Sequence, residues 1–376
     1  MSTRKLRILH VGKFYPPHRG GIETHLELVC QGLSRHCEVS VVVANDSHRT
    51  QTDQLGGVAV TRVGTLGHLA GTAISPGMIR AIQKLPADIV HLHWPNPTAM
   101  VAYLASRHTG RLIVSYHSDV VRQKLLARGF APLLNRILNR ADAVIAASPR
   151  NVEASDILQT VKGKCSVIPY GLPIKSYDFV NHAEVERIRS KYGPRLLLGV
   201  GRHVYYKGFD FLIAAMQHVD ATLLLVGDGP LRHELEGLSK RLRVDDRVVF
   251  LGEVENVIPY YHAANVFVLP SVARSEAFGI VQIEAMACRR PVINTSLDSA
   301  VPFVSIGGET GLTVAPKNVA ELAAAMNLLL SDEELRRRYG AAARRRVETQ
   351  FDAKVMTRRT LDLYEEVLNS AGRVAS

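Results

Sequence analysis

The sequence predicts an α/β protein built from two doubly wound halves. Short, nearly continuous apolar runs rich in Val, Ile and Leu alternate with helical stretches, the pattern of a parallel sheet covered on both faces. The same alternation starts afresh after a break near 170–194. At 376 residues the chain is long enough for two domains of ordinary size.

In the first half, LRILHVG (6–12) reads as a strand, followed by a glycine-bearing loop and a helix over 22–34. Further strands are expected at 38–44, 58–63, 88–94, 111–116 and 142–148, with helices near 77–84, 97–108, 120–140 and 149–159. The linker runs through YGLPIKSYDF and a charged helix. The second half then repeats the plan. Strands are expected at 195–201, 221–227, 247–252, 265–270 and 290–295, and helices near 208–218, 230–242, 256–263 and 279–288. From about 318 the tail reads as helical. Two such domains bind ligands at the carboxyl ends of their strands.

Composition narrows the function classes. The hydrophobic content of 47% is that of a globular protein with a substantial core. No stretch approaches about 18 apolar residues, so no bilayer-spanning helix is expected. Cys30, Cys37, Cys165 and Cys288 show no metal spacing and no paired framework, and read as reduced cytosolic residues. The basic, briefly apolar N-terminus fits a first strand better than a signal segment. The formal charge of +11 is uneven: residues 1–180 hold 21 Lys+Arg against 11 Asp+Glu, and residues 181–376 hold 25 against 24. The first half is therefore expected to meet an anionic partner, such as a phospholipid surface, a polyprenyl diphosphate or nucleic acid. Aromatic residues make up only 6% and do not interleave with basic clusters, which argues against nucleic acid.

The richest stretch is PSVARSEAFGIVQIEAMACRRP (270–291). After a buried-strand run, Glu276 and Glu284 stand eight residues apart, with Gly279 opening an apolar helical run between them. A strand, a small-residue turn and a helix start make a ready anion site, because the first helical N–H groups have no internal partner. Carboxylates beside such a site are costly unless a ligand hydroxyl or a cation uses them. A sugar nucleotide, with phosphates and many hydroxyls, satisfies both demands. The plainer reading is an amphipathic helix with two surface acids.

Other motifs sit at strand ends. Gly20 and Gly21, before Ile22 and Glu23, permit close backbone approach to a phosphate or sugar, or form a plain turn. Gly201-Arg202 ends one strand and Lys207-Gly208 opens the next helix. A guanidinium and an ammonium five residues apart suit a diphosphate, although solvent-facing charges would look the same. His117 closes a strand in SYHSD. His91, His93 and Trp94 close another in VHLHWPNP, where acceptor binding and core packing are equal readings. The segment 120–140 mixes Arg122, Lys124, Arg128, Arg136 and Arg140 with Leu125, Leu126, Phe130, Leu133, Leu134, Ile137 and Leu138. It could lie on an anionic membrane or pack on the sheet with a basic outer face.

Together these motifs resemble the retaining family 4 glycosyltransferases of the GT-B fold, over nearly the whole chain. The resemblance implies two Rossmann-like domains facing a cleft that closes on the substrates. Residues 1–176, with a C-terminal helix at 353–376 packing back, would bind the acceptor, and residues 177–352 the nucleotide-sugar donor. Arg202 and Lys207, beside Gly201, would hold the diphosphate, so neither a metal nor another cofactor is expected; the chain also has no Asp-x-Asp motif. Glu284 would bind ribose, and Glu276 the donor-sugar hydroxyls, with the N–H groups of Ala277, Phe278 and Gly279 on sugar and phosphate. Gly20 and Gly21 would meet the diphosphate, and the backbone around Val254 the base. His117 would orient the sugar, its carbonyl stabilising positive charge on the ring. Tyr170 departs from the Pro-Asn-Gly of many relatives. A looser likeness of HSDVVRQK points to bacterial enzymes that add mannose or related sugars to lipid-linked O-antigen and exopolysaccharide chains. GDP-mannose is the favoured donor, a UDP-sugar being the alternative. The acceptor would be a glycan or polyprenyl-diphosphate-linked glycan, and the setting cytoplasmic, on the inner face of the membrane. A sugar-nucleotide epimerase on the same fold is the rival enzyme. A dinucleotide-dependent dehydrogenase is disfavoured because no Gly-x-Gly-x-x-Gly follows the first strand.

Overall fold

A computed structural model describes residues 4–18, 20–69, 72–117 and 124–372. The chain divides into two compact units, Met1–Gly171 with Ala353–Ser376, and Leu172–Asp352. The first break thus falls before residue 176. Leu172 already pairs with Asp352 and donates its N–H to the Phe351 carbonyl (2.9 Å), which commits the rest of the presumed linker to the second unit.

The first unit is built on an eight-stranded sheet. Its spatial order is Cys165–Val167, Ala143–Ala146, Arg111–Tyr116, Ile89–Trp94, Arg7–Val11, Glu38–Ala44, Val58–Val63 and Gln51–Leu55. All neighbours are parallel except the last pair, a hairpin. Successive strand residues face opposite sides. One face, with Ile8, Ile89 and Ile113, is buried beneath the helices Gly21–Leu33 and Ala353–Gly372, so the C-terminal helix belongs to this unit's core. The other face, with Leu9, Val90, Leu92 and Val114, is buried by Met78–Lys84, Pro97–Ser106 and Lys124–Arg140.

This second face revises the reading of 120–140. Leu134, Ile137 and Leu138 are spent in the core, while Arg136 and Arg140 face outward. In that half of the helix the apolar stripe is unavailable to a bilayer. Residues 120–123, including Arg122, lie outside the described residues, as do the side chains of Lys124, Leu125, Leu126 and Arg128.

The second unit holds a fully parallel six-stranded sheet. Its spatial order is Val248–Gly252, Thr222–Val226, Leu196–Val200, Val266–Val268, Val292–Thr295 and Gly311–Val314. Leu196–Val200 comes first in the chain yet lies in the middle. The chain turns outward on both sides of it, making a topological switch point beside Val266–Val268. Open α/β sheets bind ligands outside the strand ends at such a point.

Candidate active site

In the second unit, the two strands at the switch point deliver opposite charges to one place. Lys207 closes a 3-10 turn, Tyr205–Lys207, that follows Leu196–Val200. Glu276 lies in the loop after Val266–Val268. Lys207 Nζ and Glu276 Oε2 are 2.6 Å apart, and each side chain is 10% exposed. The Ser271 hydroxyl donates to the same Oε2 at 3.1 Å, and the Ser271 carbonyl accepts from Thr295 Oγ1 at 2.6 Å. Gly208 is what lets the two loops approach. At φ +67° it occupies the left-handed region, and a Cβ there would run into the Pro270 carbonyl. A buried ion pair is retained at a cost in desolvation, and removing either partner strands the other charge. Arg202 lies exposed in the same loop. Its neighbour His203 went unnoticed in the sequence. It is fully buried between Phe209 and Phe250, and neither ring nitrogen has a hydrogen-bond partner among the described residues.

Gly279 caps the helix Ile280–Ala287 with φ +74°, and a Cβ there would come within 2.8 Å of Leu269 Cδ2. Ala277 and Phe278 lead into this helix. The Phe278 ring is core, edge-on to Phe351 at 6.1 Å, and the Ala277 carbonyl accepts from Ala300 at 3.0 Å. Glu284, one helical face further on, is not a bare surface acid. Its Oε2 accepts from the Tyr261 hydroxyl at 2.6 Å, and the Tyr177 hydroxyl also bonds to the carboxylate. Burial raises the Glu284 pKa, against the opposing pull of these phenols and the Lys207 charge. The helix end is pinned by Arg344, which donates to the Ala287 carbonyl (2.7 Å), to both oxygens of Asp178 (2.7 and 2.8 Å) and to Glu348 (2.6 Å). Val254 follows the strand Val248–Gly252 at the same end of the sheet.

In the first unit, Gly20 precedes and Gly21 begins the helix Gly21–Leu33. Gly20 is extended (φ 176°), a conformation open to any residue. The remaining expected residues lie in a polar network that the sequence only half revealed. His10, His91, His93 and Ser115 share one face of three adjacent strands, with His10 opposite His91 and His93 opposite Ser115. His117 continues that face. All are buried, and the ring nitrogens meet at hydrogen-bond distance. His10 Nδ1 lies 3.0 Å from His93 Nε2, and His93 Nδ1 lies 3.0 Å from His117 Nε2. His117 Nδ1 lies 2.6 Å from the Tyr170 hydroxyl. On the other side, His91 contacts the Tyr364 hydroxyl at 2.7 Å and Ser115 Oγ at 2.8 Å, and Tyr364 reaches His10 Nε2 at 3.4 Å. His25, from the helix above, lies edge-on to His117 and tilted over Tyr170, its Nδ1 without a partner among the described residues. Burial pushes the pKa of His10 down to about 3 and of His25 to about 4, and pushes His91, His93 and His117 well below the usual range. At neutral pH the five rings are uncharged.

Two expectations change here. His93 and Trp94 do not grip an acceptor together: adjacent strand residues point to opposite faces. Trp94 is 4% exposed in the other core, stacked on Tyr116, while His93 is 3% exposed among the histidines. The His117 ring has both nitrogens engaged, by His93 and Tyr170.

Residues 181–346 match the glycosyl transferases group 1 family, and residues 19–175 match Glycosyltransferase Family 4. The chain is 33% identical to the D-rhamnosyltransferase WbpZ of Pseudomonas aeruginosa, over 93% of each chain. It is 32% identical to the O-antigen chain mannosyltransferase C of Escherichia coli, over 97% of this chain and all of the other. The sucrose-phosphate synthase of Thermosynechococcus elongatus superposes with a TM-score of 0.83 at 25% identity, covering 97% of this chain and 100% of that one. A doubly wound unit at each end of the matched span, a charged pair at the switch point and similarity along the full length all agree: the chain belongs to the GT-B glycosyltransferases of group 1 and family 4.

Proposed function

We propose that this glycosyltransferase moves D-mannose, or a close relative such as D-rhamnose, from a GDP-sugar to a lipid-linked glycan in cell-surface polysaccharide synthesis. The observation that carries the donor assignment is the Lys207–Glu276 pair at the second unit's switch point. An ammonium has three N–H donors, and Glu276 takes one. The others serve the donor's diphosphate, with Arg202 as second cation. Among the described residues, the bonds to the Glu276 carboxylate from Lys207 and Ser271 fall on Oε2, and we assign Oε1 to a sugar hydroxyl. Glu284, oriented by Tyr261 and Tyr177, serves the ribose. The N–H groups of Ala277, Phe278 and Gly279 serve sugar and phosphate, and the backbone at Gly201 and Val254 lines the nucleotide. The two sugars are supported by the names of the WbpZ and mannosyltransferase C relatives.

In the reaction the bond from the sugar's anomeric carbon to the phosphate oxygen breaks, the acceptor oxygen attacks the same face, and its proton passes to the leaving phosphate. Configuration is retained. Positive charge grows on the sugar ring and negative charge on the leaving group, so stabilisation is electrostatic. The His117 carbonyl, with Gly20 and Gly21, is the first unit's contribution. Arg202 and Lys207 meet the leaving-group charge, which makes the transfer independent of a metal. The outward arginines of the basic helix, Arg136 and Arg140, draw the enzyme to an anionic membrane by charge rather than by insertion.

The test is GDP and product release from GDP-mannose, with and without a prenyl-diphosphate-linked glycan acceptor, in EDTA. Acceptor-dependent release supports the reading. A changed sugar nucleotide formed without acceptor overturns it in favour of epimerisation.

A further inference from the structure

The strand Val58–Val63 breaks its own pattern at one position. Val58 and Val60 are fully buried on the face covered by the helix Gly21–Leu33. Two residues on, the same face carries Arg62, whose side chain is only 8% exposed. An arginine in a core position is costly unless its charge is paired and its N–H groups find acceptors. Here each of its side-chain nitrogens has a partner. Nε donates to Asp53 Oδ2 at 3.1 Å, Nη1 donates to the Tyr15 carbonyl at 3.2 Å, and Nη2 donates to the Pro16 carbonyl.

These partners explain the residue. The loop from Gly12 to Gly20 passes through Tyr15, Pro16 and Pro17. The prolines have no N–H, so the stretch presents carbonyls where a strand would also present donors, and no ladder can hold it. A planar guanidinium, with five N–H groups in a fixed fork, can hold two successive carbonyls at once. The Tyr15 carbonyl also accepts the His18 N–H at 3.3 Å, and His18 Nε2 lies 2.7 Å from Asp46 Oδ2. Asp53 comes from Gln51–Leu55, in which Gln51 stands opposite Arg62 and Asp53 is its diagonal neighbour. That edge strand is mostly exposed; what it brings to the unit is the counter-charge of Arg62.

We propose that Arg62, charge-balanced by Asp53, is a positioning residue for sugar transfer: it clamps the loop that ends in Gly20 and Gly21, and so fixes where the helix Gly21–Leu33 presents its first backbone groups. The inference rests on the assignment of Gly20 and Gly21 to the donor diphosphate. Arg62 acts through the loop, since its guanidinium is spent on Tyr15, Pro16 and Asp53. The residues assigned to the nucleotide, Arg202, Lys207 and Glu284, belong to the second unit. Loosening the clamp should therefore cost turnover far more than nucleotide affinity.

The experiment compares the full-length wild type with Arg62→Met, Arg62→Lys and Asp53→Asn. Hydrogen exchange of the peptide spanning residues 12–24 reads the clamp without reference to the reaction. It should quicken in Arg62→Met, with exchange in the second unit unchanged. Turnover of GDP-mannose with a prenyl-diphosphate-linked glycan should fall about 100-fold, the cost of displacing a site element by roughly 1 Å, while GDP affinity by calorimetry stays near that of the wild type. Arg62→Lys keeps the charge and three N–H donors, and should recover part of both the protection and the turnover. Asp53→Asn should give the same pattern at smaller size, and carries the test if Arg62→Met does not fold. Unchanged exchange at 12–24 overturns the clamp. Faster exchange there with unchanged turnover overturns the positioning role, and the diphosphate assignment of Gly20 and Gly21 with it. Equal losses of turnover and GDP affinity overturn it as well, because they mark general damage to the fold. A wild type that transfers nothing from GDP-mannose refutes the donor reading instead, and the exchange result still decides the clamp.

Discussion

Acidification should unfold the first unit well above the pH at which carboxylates titrate. Its five buried histidines have folded pKa values below that of an unfolded chain, about 6.5. The unfolded chain therefore takes up protons that the folded one refuses. The stability from neutral burial is complete above pH 6.5 and is lost as the pH falls below it. Between pH 6.5 and 5.5 each ring held neutral loses about 1 kcal/mol, so five lose about 5 kcal/mol. That is comparable with the whole stability of a domain, about 5–15 kcal/mol. On His10, His91, His93 and His117 other rings of the set act as well as burial, and disfavour protonation further; on His25 the cause is burial. The assay is built in. Trp94 is the only tryptophan, it is buried in the first unit beside His93, and its emission follows that unit alone, which avoids treating two units as one transition. Urea midpoints read by Trp94 at pH 7.5, 6.5 and 5.5 should fall steeply over the last step. Midpoints that stay level would refute the claim that these rings are held neutral by the fold.

Glu276→Gln should impair sugar transfer more than binding of free nucleoside diphosphate, compared by turnover and by calorimetry; equal losses would move Glu276 to a nucleotide role. Arg344→Ala should lower stability by about 2 kcal/mol in chemical denaturation, through loss of charged hydrogen bonds to Asp178, Glu348 and the Ala287 carbonyl; an unchanged midpoint would show that these bonds are redundant. Neutralising Arg122, Lys124, Arg128, Arg136 and Arg140 together should weaken sedimentation with anionic liposomes, and the wild-type binding should fade with added salt. Binding that survives both changes would defeat the charge-based membrane contact.

Much of the fold was legible because parallel strands are buried on both faces and read as plain apolar runs. The elements that went unseen lack that signal. Gln51–Leu55 is a polar edge strand, mostly exposed, and Cys165–Val167 is only three residues long. Gly311–Val314 begins with a glycine that packs directly on the Val292 carbonyl, where a side chain would not fit. The expected helix at 149–159 is two, Pro149–Ala154 and Asp156–Gln159, broken at an extended Ser155. In the site, the spacing of Glu276 and Glu284 and the basic loop before Gly208 were readable as local motifs. That Lys207 and Glu276 pair with each other was not, because it depends on which strands become neighbours. The histidine network was hidden for the same reason. His91 and His93 alternate visibly in one strand, but His10, His25, Tyr170 and Tyr364 join them only through register and helix packing.

The central claim is that the second unit binds a nucleotide sugar through Lys207 and Glu276. The most direct measurement is thermal stabilisation by GDP, UDP and their sugars in EDTA, for the wild type and Lys207→Ala. A ligand that binds only the folded state raises the melting temperature. The account predicts a clear rise with one base, kept in EDTA, and its loss in Lys207→Ala together with at least a 100-fold fall in transfer, roughly the cost of removing one charge-stabilising group. A wild type that responds to no nucleotide, or a Lys207→Ala protein that responds as the wild type does, would contradict it.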